Sequence, residues 1–172
     1  DRKAFVTNLG WYSTENATKA LMSLFEGEKV FDFPKPIDLL SFLIEQTTHD
    51  EIILDFFAGS GSIAHAAMEQ NAKDGGTRRY IQIQLPEPTP DGSPARNAGF
   101  MTIADIARTR IERAAARLLS DIQGRLDLGE NLIDTGFRAF KLSDTNFSKW
   151  RVTSEIEEDA LQQRLLGLRD SS

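Results

Sequence analysis

The stretch EIILDFFAGSGSIAHAAMEQ, residues 51–70, constrains the fold more than any other part of the chain. A run of β-formers ends in Asp55 and two phenylalanines, bends through Gly59-Ser60-Gly61, and enters an alanine-rich helix. A strand that passes through a glycine turn directly into a helix is the opening half of a βαβ unit, and such turns sit at ligand sites. The run EIILDFF is apolar enough for a strand covered on both faces, a central position in a parallel sheet.

The remaining segments extend this unit. Thr14 to Phe25 reads as a helix capped by Ser13 or Thr14, with Glu15 in its first turn. A second helix starts at Pro36 and repeats Ile37, Leu40, Leu43 and Ile44 at helical spacing. After the glycine turn, Ser62–Asn71 is helical and KDGGT ends it. Arg79 to Leu85 is a second strand. The proline-rich loop that follows holds four of the six prolines.

A long helix from about Thr102 to Gln123 then carries Ile103, Ile106, Ala107, Ile111, Ala114 and Leu118 on its apolar stripe. Gly136 to Leu142 alternates as a third strand, and a charged helix spans Ser154 to about Leu168. Strands separated by helices give an α/β class: a partial Rossmann-like fold with a parallel three-stranded sheet and flanking helices. Residues 1–150 form the domain proper and residues 151–172 a charged tail.

Composition excludes several functions. The 172 residues contain no cysteine, so thiolate chemistry and Cys-based zinc sites are impossible, and His49 and His65 do not stand at a metal-ligand spacing. No apolar run approaches the roughly 20 residues that span a bilayer, so the expected setting is the cytoplasm, with no membrane partner. The net charge of −6 and pI near 5.0 argue against this segment being a main DNA-clamping surface. Arg108, Arg110, Arg113 and Arg117 accordingly read as a solvated helix face balanced by Glu112 and Asp121 rather than a phosphate-binding stripe. Phe137, Phe140 and Phe147 read as core, and Trp11 and Tyr12 as packing residues.

The ligand of the turn follows from charge. Gly59-Ser60-Gly61-Ser62-Ile63-Ala64 matches the permissive dinucleotide fingerprint G-x-G-x-x-A. That reading implies an NAD-dependent oxidoreductase domain. Two details oppose it: Asp55 stands beside the bend, where it would repel a diphosphate, and the second strand ends in Gln84 rather than the expected ribose acid. S-adenosylmethionine fits better. It has no phosphates, and its ammonium and sulfonium suit a nearby carboxylate. Gly59 and Gly61 allow close backbone approach, and Phe57 offers an apolar wall.

The residues Asp55-Phe56-Phe57-Ala58-Gly59-Ser60-Gly61-Ser62 resemble the D-P-F-A-G-S-G-T signature of amino-group DNA methyltransferases, with Phe56 in place of proline and Ser62 in place of threonine. Upstream, Phe33-Pro34-Lys35-Pro36 resembles the x-P-x-K-P segment that precedes the glycine strand in the permuted class of these enzymes. Downstream, YIQIQLPEP and GFRAFKLSDTNFSKW resemble segments of the adenine-methylating modification subunits of type III restriction systems. The likeness runs from about Gly10 to Trp150.

The resemblance implies an S-adenosylmethionine site made by Lys35, Asp55, Phe56, Phe57, Ala58, Gly59, Ser60, Gly61 and Gln84, in a site-specific DNA adenine-N6 methyltransferase. Lys35 would lie near the methionine moiety. Gln84, or Glu87 from the loop, would face the ribose in place of the family's usual acid. It also implies DNA as substrate, contacted mostly by other parts of the enzyme, and a restriction subunit as a possible partner.

The family's catalytic motif, [D/N/S]-P-P-[Y/F/W], holds a flipped base. This chain has no Pro-Pro pair, so no catalytic residue is assigned within it. In the permuted class that motif precedes the glycine strand. The expectation is therefore that this chain is the C-terminal, S-adenosylmethionine-binding part of a longer enzyme and is inactive alone. Lacking the neighbouring catalytic strand, Glu51–Phe56 would offer an open apolar edge, which makes a homodimer an expected association. A non-catalytic interaction module with a vestigial glycine turn is the remaining alternative.

Overall fold

A computed structural model describes residues 12–47, 49–123 and 133–143. The element order is α1 (Thr14–Leu24), α2 (Ile37–Thr47), β1 (Ile52–Asp55), α3 (Ser62–Asp74), β2 (Arg79–Gln82), α4 (Pro94–Asn97) and α5 (Ile103–Gln123). The chain divides into compact units of residues 1–137 and 138–172. All the named elements lie in the first. In the second, residues 138–143 have no regular secondary structure. No described helix is long and apolar enough to cross a membrane.

Local chemistry explains the element ends. The Ser13 side chain accepts from the Asn16 amide at 3.3 Å, capping α1. Leu40 N–H reaches the Pro36 carbonyl, so α2 starts where a missing proline N–H does no harm. Gly75 ends α3 in the left-handed conformation at φ 70° and returns its amide to the Asn71 carbonyl.

β1 and β2 pair in parallel, with Ile53 opposite Tyr80 and Asp55 opposite Gln82. Between them runs α3, which also packs against α2 and α5. This position accounts for its alanines: Ala64, Ala66 and Ala67 are fully buried, and only small side chains let helices approach on several sides at once. One apolar cluster joins Leu21 and Phe25 to Met68, Ile106 and Ile111. A second joins Ile44, Ala66 and Ala67 to Ile53 and Tyr80 on the sheet.

A polar clip fixes the return from α3 to β2. The Asn71 side chain accepts from the Arg78 amide (3.1 Å) and donates to the Arg78 carbonyl (2.9 Å), so it stands in for a strand neighbour. The Arg78 guanidinium, itself buried, forks onto Asp74 at 2.8 and 2.9 Å.

Three expectations are corrected. Among the described residues the sheet has two strands, because residues 133–143 form none. Alternation permits a strand only where a neighbour supplies a ladder; here Gly136 donates to Asp134 Oδ1 at 2.9 Å, a local turn bond that competes with pairing. β1 is not covered on both faces either. Ile53 and Tyr80 face the helices, whereas Ile52, Leu54, Ile81, Ile83 and Leu85 are exposed. Phe140 is exposed rather than core, while Phe137 does pack on the first cluster. The expected helix from Ser154 to Leu168, along with Phe147 and Trp11, lies outside the described residues.

Candidate functional site

The end of β1 is held by its own aspartate. Asp55 Oδ1 accepts from the Phe57 amide at 3.0 Å, closing a tight turn, and Oδ2 accepts from Gln82 Nε2 at 3.1 Å. The backbone ladder continues past both strands, with Ile83 N–H on the Asp55 carbonyl and Ala58 N–H on the Ile83 carbonyl. These bonds aim the carboxylate of Asp55 and leave Phe57 almost wholly exposed.

The bend that follows is equally fixed. Gly59 (φ 53°) and Gly61 (φ 77°) both take the left-handed conformation that favours glycine. Gly59 N–H donates to Gln84 Oε1 at 2.7 Å, so the strand-end side chain braces the bend. At Gly61 the close neighbour is α5. A Cβ there would stand 3.2 Å from the Ala107 carbonyl oxygen and 3.4 Å from its Cα. The second glycine thus serves helix packing, while a Cβ at Gly59 would meet the Phe31 ring edge and the Phe57 carbonyl oxygen only at ordinary contact distances.

Beneath the bend lies Arg110, only 1% exposed. Its Nη1 donates to Ser60 Oγ at 2.7 Å and Ser62 Oγ at 2.8 Å. Burial pulls its pKa down to about 10, with the Glu69 carboxylate opposing that fall, so it stays cationic near neutrality. Glu69 itself is held below the usual carboxylate range, first by its hydrogen bond with His65.

The expected solvated arginine face is therefore corrected. Arg110 is core, and Arg113 donates to the Leu24 carbonyl at 2.7 Å with its guanidinium 4.9 Å from the centre of the Phe25 ring. Arg108 and Arg117 are exposed, as expected. Both inward-turned arginines satisfy groups that α5 would otherwise bury unpaired.

In front of the bend opens a cleft of about 840 Å³. Lys35, Asp55, Phe57, Ala58, Gly59 and Ser60 all line it. Of the remaining sequence candidates, Phe56, Gly61 and Gln84 do not; Phe56 is exposed at the strand end, and the other two support the turn from behind. Residues 29–33, the loop from Thr89 to Ser93 and the start of α4 line it as well. That loop is ordered by the buried Thr89, whose hydroxyl donates to the Phe100 carbonyl and whose own carbonyl accepts from Arg96. Nothing but its prolines marked it in the sequence. Arg110 did leave a signal: it falls at i+3 from Ala107 and i−4 from Ala114, on the apolar stripe itself.

This cleft combines the aimed Asp55 carboxylate with Asp32, two lysines, four hydroxyl-bearing residues and bare aromatic surface, and its size suits a nucleoside with a charged side arm. Comparison with known proteins agrees with that chemistry. The family model for N6/N4 enzymes, described as DNA methylase, matches residues 6–114. The Mod subunit of the type III restriction-modification enzyme StyLTI from Salmonella typhimurium (strain LT2) is 42% identical over 62% of this chain and 16% of its own length. The EcoPI Mod subunit of Escherichia phage P1 is 37% identical over 87% of this chain and 24% of its own. The type II methyltransferase M.KpnI of Klebsiella pneumoniae is 41% identical over 58% and 24%. The chain thus spans a quarter or less of these relatives.

Proposed function

Because the chain belongs to the N6/N4 DNA methylase family, we propose that its cleft is the S-adenosylmethionine site of a site-specific DNA adenine-N6 methyltransferase. The observation that carries this reading is the Asp55 carboxylate, fixed by the Phe57 amide and Gln82 at the rim of a cleft that Gly59 and Ser60 also line. A fixed carboxylate there favours a ligand bearing an ammonium and a sulfonium. It disfavours a diphosphate, so an NAD-dependent oxidoreductase finds no support.

The residues present fit the cofactor. Asp55 accepts from its ammonium and Lys35 attends its carboxylate, while Phe57 covers apolar surface. Gln84 acts from behind the bend, where its carbonyl braces Gly59 rather than facing the cleft. When bound, S-adenosylmethionine supplies an electrophilic methyl group for in-line transfer to the adenine amino nitrogen. This chain contributes positioning, which is where such a reaction gains most of its rate.

The base-holding motif belongs to another part of the parent enzyme, so residues 1–150 act as the cofactor half and the chain alone is inactive. DNA is the substrate of the whole enzyme, which works in the cytoplasm. By likeness to the Mod subunits, a restriction subunit is its expected partner. Titration calorimetry tests the cofactor assignment: S-adenosylmethionine and S-adenosylhomocysteine bind with one-to-one stoichiometry and NAD gives no heat. NAD uptake, or no uptake of either adenosyl ligand, overturns it.

A further inference from the structure

We infer that Arg110 is a positioning residue for the cofactor's carboxylate, acting through the hydroxyls of Ser60 and Ser62. The inference rests on the cofactor assignment above and goes beyond the cleft-lining residues. Arg110 touches no ligand itself. It sits behind the bend, on α5, and reaches the cleft only through the two serines, both of which line it.

Hydrogen-bond accounting leads there. Nη1 donates to both oxygens, so each hydroxyl has one lone pair occupied by a cation and its own proton turned elsewhere. The two oxygens are 3.5 Å apart, and at most one of the two protons can lie between them. At least one hydroxyl proton therefore has no acceptor among the described residues. With the guanidinium behind and the cleft in front, that proton is a donor pointed toward the ligand, polarised by the charge at its back.

Charge accounting agrees. Among the described residues no carboxylate lies within ion-pair distance of Arg110, and its Nε has no hydrogen-bond partner. The Glu69 carboxylate reaches it only from beyond that distance, so the buried cation is incompletely compensated. A ligand carboxylate one hydroxyl away adds a second negative charge when the site fills. The same corner holds the first turn of α3, which Gly61 enters with no side-chain cap, so its positive end adds to the field. Asp55 stands at the other side of the bend. The two ends of a zwitterionic amino acid are thereby sorted: ammonium toward Asp55, carboxylate toward the serines.

A purely structural fastener between α5 and the bend would make the same two hydrogen bonds, and the two roles differ in one readout. Calorimetry compares S-adenosylhomocysteine with its decarboxylated analogue, which keeps the ammonium and lacks only the carboxylate. Arg110→Gln should weaken the first by about tenfold, the worth of one charge-assisted hydrogen bond, and move the second by less than about twofold.

Arg110→Lys should recover part of the loss because it restores the charge. The ratio between ligands, read on one preparation, is insensitive to a change in the folded fraction. Should Arg110→Gln fail to fold, Ser60→Ala combined with Ser62→Ala should give the same carboxylate-selective loss. Equal weakening of both ligands, or weakening of neither, overturns the positioning role alone. A wild-type chain that binds neither ligand overturns the cofactor assignment with it.

Discussion

Gly61→Ala is the sharpest test of how the bend is built. At φ 77° an L side chain is strained, at about 1–2 kcal/mol for the left-handed conformation. The added Cβ also lands 3.2 Å from the Ala107 carbonyl oxygen and 3.4 Å from its Cα. Those are helix backbone atoms, which cannot swing aside, so α5 must shift; overpacking of this kind costs about 1–3 kcal/mol. The expected loss is about 2–5 kcal/mol in total, summed from the two effects.

Gly75→Ala is the matched control. It has nearly the same φ, 70°, but nothing lies within 4 Å of its Cβ, so only the strain of about 1–2 kcal/mol applies. Urea unfolding of both variants, followed by circular dichroism, gives the comparison, and unchanged slopes would show that the midpoint shifts report stability. If both lose the same amount, α5 does not press on the bend and the account of Gly61 is wrong.

Other perturbations probe the supports around the site. Asp74→Asn removes the carboxylate partner of buried Arg78; because the Asp74 side chain is 27% exposed, the loss should be about 1–3 kcal/mol rather than that of a fully buried pair. Arg78 hydrogen bonds hold the Asp74 carboxyl well below its ordinary value of 3.8. The stabilisation is therefore complete above that value and drains as pH falls below it, so the stability gap between wild type and Asp74→Asn should narrow below about pH 4. A gap that is flat with pH would contradict this.

Arg113→Ala should destabilise by about 1–2 kcal/mol through the lost bond to Leu24 and the lost contact with Phe25, whereas Arg108→Ala should change stability by less than about 0.5 kcal/mol. Equal effects in thermal unfolding would return both arginines to a solvated face. The bare sheet face should drive self-association: in sedimentation, mass should rise with concentration, and Leu54→Lys with Ile81→Lys should suppress the rise. A wild-type chain monomeric at all concentrations would refute that.

What the sequence revealed depended on whether the determinant was local. The glycine bend, the cap at Ser13 and the stripe of α5 are written in the local sequence and the structure has them where expected, whereas α3 runs to Asp74, three residues past the expected end at Asn71, before Gly75 stops it. Pairing is not local. EIILDFF reads as a doubly covered strand because apolar content does not say whether a second layer is present, and GFRAFKL alternates but forms no strand among the described residues. Arg110 reads as solvated in the sequence because an arginine usually marks solvent. Its place on the stripe becomes meaningful only once Ser60 and Ser62, fifty and forty-eight residues away, are seen to meet it. The sequence points Gln84 toward the cleft, whereas in the structure its carbonyl braces Gly59 across the sheet end.

The central claim concerns the Asp55 carboxylate and what it faces, and a crystal structure grown with S-adenosylhomocysteine tests it most directly. The account predicts the ligand in the cleft, with its amino group within hydrogen-bonding reach of Asp55. A ligand seated elsewhere, or a nicotinamide dinucleotide whose diphosphate rests on the Gly59 bend in a parallel crystal, would contradict it.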